Sequence, residues 1–182
     1  MTRQLVAPDG IGKTISLLKK LGVVILVIGL LGLAYPYLRD ASAISIGAFM
    51  VLGGHFRMTF AIASRSLGPV ALKYFFGLTM IFSGTGFIGN PSMTSEMMTL
   101  AMTFYLAADV ITSSLYGYAL MKIGGGRVLL INTFVTAILA VMTYIEWPTS
   151  GNHFLGFVIG LKLLLDGFAL LWLGNQLKKA YS

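Results

Sequence analysis

The chain has 182 residues, of which 57% are apolar and only 10% charged, with a net charge of +7, a mean hydropathy of +0.85 and no cysteine. A soluble domain of this length cannot hide that much apolar surface, so lipid must be the solvent for much of it. The lack of cysteine excludes disulfides, thiol catalysis and thiolate metal sites.

Residues 1–20 read as a cytoplasmic, amphipathic N-terminal segment, with Ile15, Leu17 and Leu18 beside Lys19 and Lys20. Within it Ala7–Thr14, APDGIGKT, imitates a phosphate loop. That chemistry needs a buried strand before the loop and a helix after it, so that backbone N–H groups cradle phosphate. Only six residues precede this stretch, and a membrane span follows shortly after, so nucleotide binding is not expected. Lys19 and Lys20, the apolar run and Ala41-Ser42-Ala43 also imitate a signal peptide. The run is long for such a peptide, and with Met1 retained ahead of it the segment is expected to be a true span.

Six stretches are long enough, or nearly so, to cross about 30 Å of hydrocarbon as helices. They are Leu21–Leu38, Ala41–Ala63, Val70–Gly89, Ser95–Met121, Val128–Ile145 and Phe154–Leu173. No alternating barrel pattern appears, and helices satisfy their backbone groups internally. The expected fold is all-α: a six-helix transmembrane bundle over 21–174, followed by a short basic cytoplasmic tail, 175–182. Basic residues alternate sides as this topology requires. Arg3, Lys13, Lys19 and Lys20, then Arg65 and Lys73, Lys122 and Arg127, and Lys178 and Lys179 fall on one side. The opposite loops carry Arg39, Asp40, Glu96 and Glu146. This is the positive-inside pattern with both termini cytoplasmic, and the basic edge suits anionic headgroups. Nucleic acid is not an expected partner, because no basic face lies outside those short edges.

Prolines expose an internal repeat. Pro36, Pro91 and Pro148 each end an odd-numbered span, at intervals of 55 and 57 residues. Gly22 and Gly29 lie 14 and 7 residues before Pro36, and Gly77 and Gly84 keep those offsets before Pro91. The third unit has Phe134 and Val141 there instead. Gly47 and Gly54 lie 11 and 18 residues after Pro36, and the last span carries Gly160, Gly167 and Gly174, again seven apart. Seven residues are nearly two helical turns, so these glycines share a face that lets another helix approach closely. The prolines are expected to stop each odd span at its turn. The architecture is therefore read as three tandem helical hairpins. Their glycine faces could pack internally or between subunits, and a homo-oligomer or a place in a larger membrane complex is expected.

In GVVILVIGLLGLAYP (Gly22–Pro36), GLTMIFSGTGFIGNP (Gly77–Pro91) and WPTSGNHFLGFVIGLKLLLDG (Trp147–Gly167), the chain resembles the HdeD family of small bacterial inner-membrane proteins. The resemblance runs from about residue 20 to 177. It implies six spans as three repeated hairpins, a bacterial inner-membrane location and a link to acid resistance and stress response. It brings no established catalytic or binding residues.

Five acidic or basic residues fall well inside spans, away from their ends: His55, Arg57, Asp109, Lys162 and Asp166. An isolated charge at the bilayer centre costs at least about 2.5–3.5 kcal/mol, so each needs a partner or water. Asp109 and Asp166 both lie 18 residues after their prolines, at equivalent places in repeats two and three. Gly54, next to His55, is their counterpart in repeat one. Arg57 and Lys162 lie within about 4–6 Å of the same level along the helix axes. Together they could neutralise both aspartates. Three uses stay open: a structural lock, a proton or ion relay including His55, and a meeting point for a partner subunit. Arg57 could instead snorkel towards the cytoplasmic face.

Thr112, Ser113 and Ser114 are expected to bond within their helix or to a neighbour, and Tyr35, Tyr37, Trp147, Trp172 and Tyr181 to sit near membrane interfaces. Glu146 and His153 lack a third metal ligand, so no metal is expected. No nucleophile–base pair or cofactor motif appears. The leading expectation is a non-enzymatic membrane protein of HdeD type with a structural or envelope-protective role. The alternatives are a proton, ion or small-solute channel or transporter, and an accessory subunit of a membrane enzyme.

Overall fold

The computed structural model describes residues 8–38, 43–63, 70–92, 94–121, 126–146 and 152–181. Regular structure among them is helical: α1 (Pro8–Leu38), α2 (Ala43–Ala63), α3 (Val70–Gly89), α4 (Ser95–Leu120), α5 (Gly126–Ile145) and α6 (Asn152–Tyr181). Trp147 and Pro148 lie outside the described residues, as do the loop charges Arg3, Arg39, Asp40, Arg65 and Lys122.

Four helices hold segments long and apolar enough to cross a membrane: Gly12–Ala34, Glu96–Leu115, Gly126–Ile145 and His153–Lys179. In α2 and α3 the apolar stretches are shorter, Ala43–His55 and Tyr74–Gly89. Large apolar side chains also cover the outside of the bundle, among them Leu31, Phe82, Phe104, Ile131, Phe134 and Phe168. Water would disfavour such a surface and hydrocarbon would not, which identifies a membrane protein.

The helices differ from expectation at the start of α1, at the end of α6 and in the role of one proline. Pro36 does not stop α1, which runs on to Leu38. A proline in the last turn removes only its own N–H bond, and the helix has nearly ended there. Pro91 behaves as expected: α3 ends at Gly89, and Thr94 caps α4 by accepting from the Met97 N–H. The polar N-terminal stretch from Pro8 is continuous with the first span, so the phosphate-loop lookalike is helix rather than loop. Residues 175–181 likewise prolong α6.

The tight helix pairs are α1 with α6, α2 with α3, and α4 with α5. The expected hairpin units, α1–α2, α3–α4 and α5–α6, pack more loosely. The repeat survives, but its packing unit is offset by one helix, and α6 closes the ring onto α1. Glycine faces explain the offset, since backbones approach most closely where both helices lack side chains. A Cβ on Gly47 would lie 2.5 Å from the Gly84 carbonyl oxygen, and one on Gly54 would lie 2.6 Å from that of Gly77. Gly22 and Gly167 meet in the same way across α1 and α6, as do Gly32 and Gly160. Gly29 faces the backbone of Leu164, and Gly174 packs over Lys19. All nine glycines singled out by spacing therefore stand at contacts within the chain.

A main core of Ile25, Met50, Phe87, Met102, Leu106, Leu155 and Val158, among others, fills the middle of the bundle. A smaller leucine cluster of Leu18, Leu120, Leu173 and Leu177 closes the end that carries the α1 N-terminus and the α6 C-terminus. Substituting Gly54→Ala should force α2 from α3 and cost about 1–3 kcal/mol. Gly86→Ala, with nothing within 4 Å of the added carbon, should cost nothing. Thermal unfolding of the two purified variants in detergent checks the contrast, and equal stabilities would refute the close-approach account.

Candidate functional site

Charges from all three repeats meet between the two core clusters. Arg57 reaches inward from α2, Asp109 from α4, and Lys162 and Asp166 from α6. Arg57 Nη2 donates to Asp109 Oδ1 and lies 4.0 Å from Asp166 Oδ2. Lys162 Nζ donates to Asp166 Oδ1 and stands 2.8 Å from Asp109 Oδ2 as an ion pair. Two cations therefore balance two carboxylates, and the network is neutral. Arg57 does not snorkel out of the bundle.

Neutral groups complete the network. Asn132 Nδ2 on α5 donates to Asp166 Oδ1 at 2.9 Å, and Ser113 Oγ donates to Asp109 Oδ1 at 3.3 Å. The Arg57 guanidinium lies over the Tyr105 ring, 5.5 Å from its centroid, with Nη2 3.5 Å from the hydroxyl. Tyr105, Asp109 and Ser113 are spaced four apart, so they form one stripe along α4. Thr112 and Ser114 instead bond back to the carbonyls of Ala108 and Val110. Tyr105 and Asn132 had no strong signal in sequence. Asn132 is the lone amide of its span, and Tyr105 stands one turn before a buried acid; those are the clues that could have found them.

His55 is not part of the network. Two residues along a helix turn the side chain by about 200°, so His55 faces outward where Arg57 faces inward. It is exposed, with Nδ1 2.8 Å from the Val51 carbonyl oxygen. Glu146 and His153 are exposed as well, and among the described residues no group of three His, Cys, Asp or Glu side chains could hold a metal.

The four charges differ in their surroundings. The Asp109 and Lys162 side chains are 0% and 2% exposed, whereas Arg57 and Asp166 are 21% and 22% exposed. A cavity of about 110 Å³ adjoins the second pair, bordered by Asn132, Thr112, Ser113 and Tyr105. A second cavity, of about 440 Å³, lies between α2, α3 and α4 and also touches Arg57 and Tyr105. All four charges are ion-paired, and the two that keep some exposure border this largely apolar cavity. Comparison of the chain with protein-family models, curated proteins and solved structures returns no match.

Lys162→Met should be the most damaging single substitution in the network, because it leaves two carboxylates facing one guanidinium with Asp109 out of water. Breaking a buried pair in this way costs about 3–5 kcal/mol. Adding Asp166→Asn should restore part of that loss by rebalancing the charge. Melting curves of the single and double variants test this, and a double variant weaker than Lys162→Met would contradict it.

Proposed function

We propose that the protein is a non-enzymatic, six-span membrane protein of the HdeD kind, in which the buried network locks three repeats into one ring. Its cellular role on this reading is protection of the envelope under acid or related stress, in a bacterial inner membrane. The observation that carries the lock is that Arg57, Asp109, Lys162 and Asp166 join α2, α4 and α6, the second helix of every repeat. Glycine packing holds the tight pairs, but it does not reach across the loose ones. The network does.

Six crossings are supported by α2 and α3 lying face to face through Gly47, Gly54, Gly77 and Gly84 within a ring of longer apolar helices. Both termini on the basic, cytoplasmic side are supported by α1 and α6 packing antiparallel, with Lys13, Lys19, Lys20, Lys178 and Lys179 at the same end.

A second reading, a path for protons or small solutes, draws on the two cavities that meet at Arg57. One variant separates the two. Replacing the whole network with apolar groups, Arg57→Met, Asp109→Leu, Lys162→Met and Asp166→Leu together, should leave folding nearly intact, since apolar packing substitutes well for buried ion pairs. If the network is only a lock, this variant should protect acid-challenged cells as the wild type does. If it is a path, protection and proton flux into liposomes should both disappear. Wild-type protein that neither protects cells nor passes protons would remove both readings.

A further inference from the structure

We propose that Asp166 is a proton-binding site served by water in the cavity beside it, and that its repeat twin Asp109 is a fixed counter-ion that does not exchange protons. This deepens the second reading above, since it names the group through which protons would enter the network.

The cavity beside Asp166 is built to take hydrogen-bond donors. Asn132 is buried, its Nδ2 is committed to Asp166, and its Oδ1 has no hydrogen-bond partner among the described residues. Thr112 Oγ1 has given its proton to the Ala108 carbonyl, and Ser113 Oγ has given its own to Asp109. Asn132, Thr112 and Ser113 border the same space as Asp166, and the two hydroxyl oxygens keep lone pairs free to accept. Water is the donor that fits hydroxyl and carboxylate acceptors set around so small a space. About 110 Å³ holds several molecules, and those beside Asp166, Thr112 and Ser113 would find the polar partners that buried water requires.

The two aspartates then behave differently. Asp166 Oδ1 holds the Lys162 and Asn132 bonds, while among the described residues Oδ2 has only the guanidinium at 4.0 Å and is the atom able to take a proton. In the step, a hydronium ion in the cavity gives its proton to Oδ2 and leaves as water; no other bond changes. Lys162 and Arg57 keep Asp109 as their shared counter-ion, and the network passes from neutral to +1. The ionisable groups facing Asp166 are Arg57 on α2, Tyr105 and Asp109 on α4, and Lys162 on its own helix. From α1 and α3 the cavity meets only Ile25 and Phe76. Asp109 touches the second cavity, but its side chain has no accessible surface and lies between both cations.

Infrared difference spectroscopy on the full chain in bilayers tests this, since only six acidic side chains exist: Asp9, Asp40, Glu96, Asp109, Glu146 and Asp166. Acidification should raise a protonated-carboxyl band that shifts in heavy water. The band should vanish in Asp166→Asn, move in Asp166→Glu and persist in Asp109→Asn. In Thr112→Val, loss of a water anchor should slow its deuterium exchange by about tenfold. A band that survives Asp166→Asn, fails to move in Asp166→Glu, or never forms in folded wild type would overturn the assignment. Melting temperatures of the same variants report on the lock separately, so the proton site can fail while the lock stands.

Discussion

A charge surrounded by hydrocarbon must be neutralised within reach of its own side chain, and this constraint organises the bundle. Asp109 has no accessible surface and lies between Arg57 and Lys162. Desolvation of either ion alone would cost several kcal/mol, and only close opposite charge offsets it. The three helices that carry these groups therefore cannot drift apart without exposing a charge to lipid or protein with no partner. The penalty grows with separation, so the network acts as a tether across interfaces that are otherwise loosely packed.

Close packing and charge divide the work of holding the ring. Along α1–α6 and α2–α3, facing glycines bring backbones together, and dispersion supplies attraction where no hydrophobic effect operates between helices in lipid. The α4–α5 pair uses a different contact, with Gly117 against Leu130 and the Gly126 backbone. Buried α5 residues include Asn132, Thr133, Thr136 and Thr143, and the threonines bond back to carbonyls one turn earlier. Small hydroxylated side chains with their protons already committed can be buried without loss, which suits a helix lacking the glycine series.

Spacing in the sequence revealed much of this. Six apolar segments, the glycine offsets and the shared depth of Asp109 and Asp166 could be read directly, because period and register are local properties. Axial rise put Arg57 and Lys162 at a depth from which they could reach both acids, but it left Arg57 equally free to snorkel outward. The partner of each glycine face was not legible, because proline turns specify connection and not contact; hence the offset from α1–α2 to α2–α3 pairing. His55 was misplaced because depth was counted without rotation, and two positions change the face. Asn132 and Tyr105 were missed for an energetic reason. A neutral polar group in a span costs far less than a charge, so it demands no explanation until its partner is seen.

Three equivalent positions in three repeats hold Gly54, Asp109 and Asp166, and their differences follow from competing demands on one face. In repeat one the position lies against the Gly77 backbone, where even a methyl group would collide. A carboxylate has no room there, and the position serves packing. In repeat two it holds Asp109, and the glycine contact of α4 moves to Gly117, about two turns further along. In repeat three the chain keeps both, with Asp166 turned to the network and Gly167, one residue and about 100° on, turned to Leu26 of α1. With glycine at the first position, two carboxylates remain to meet Arg57 and Lys162, so the broken symmetry of the repeat matches one acid to each cation.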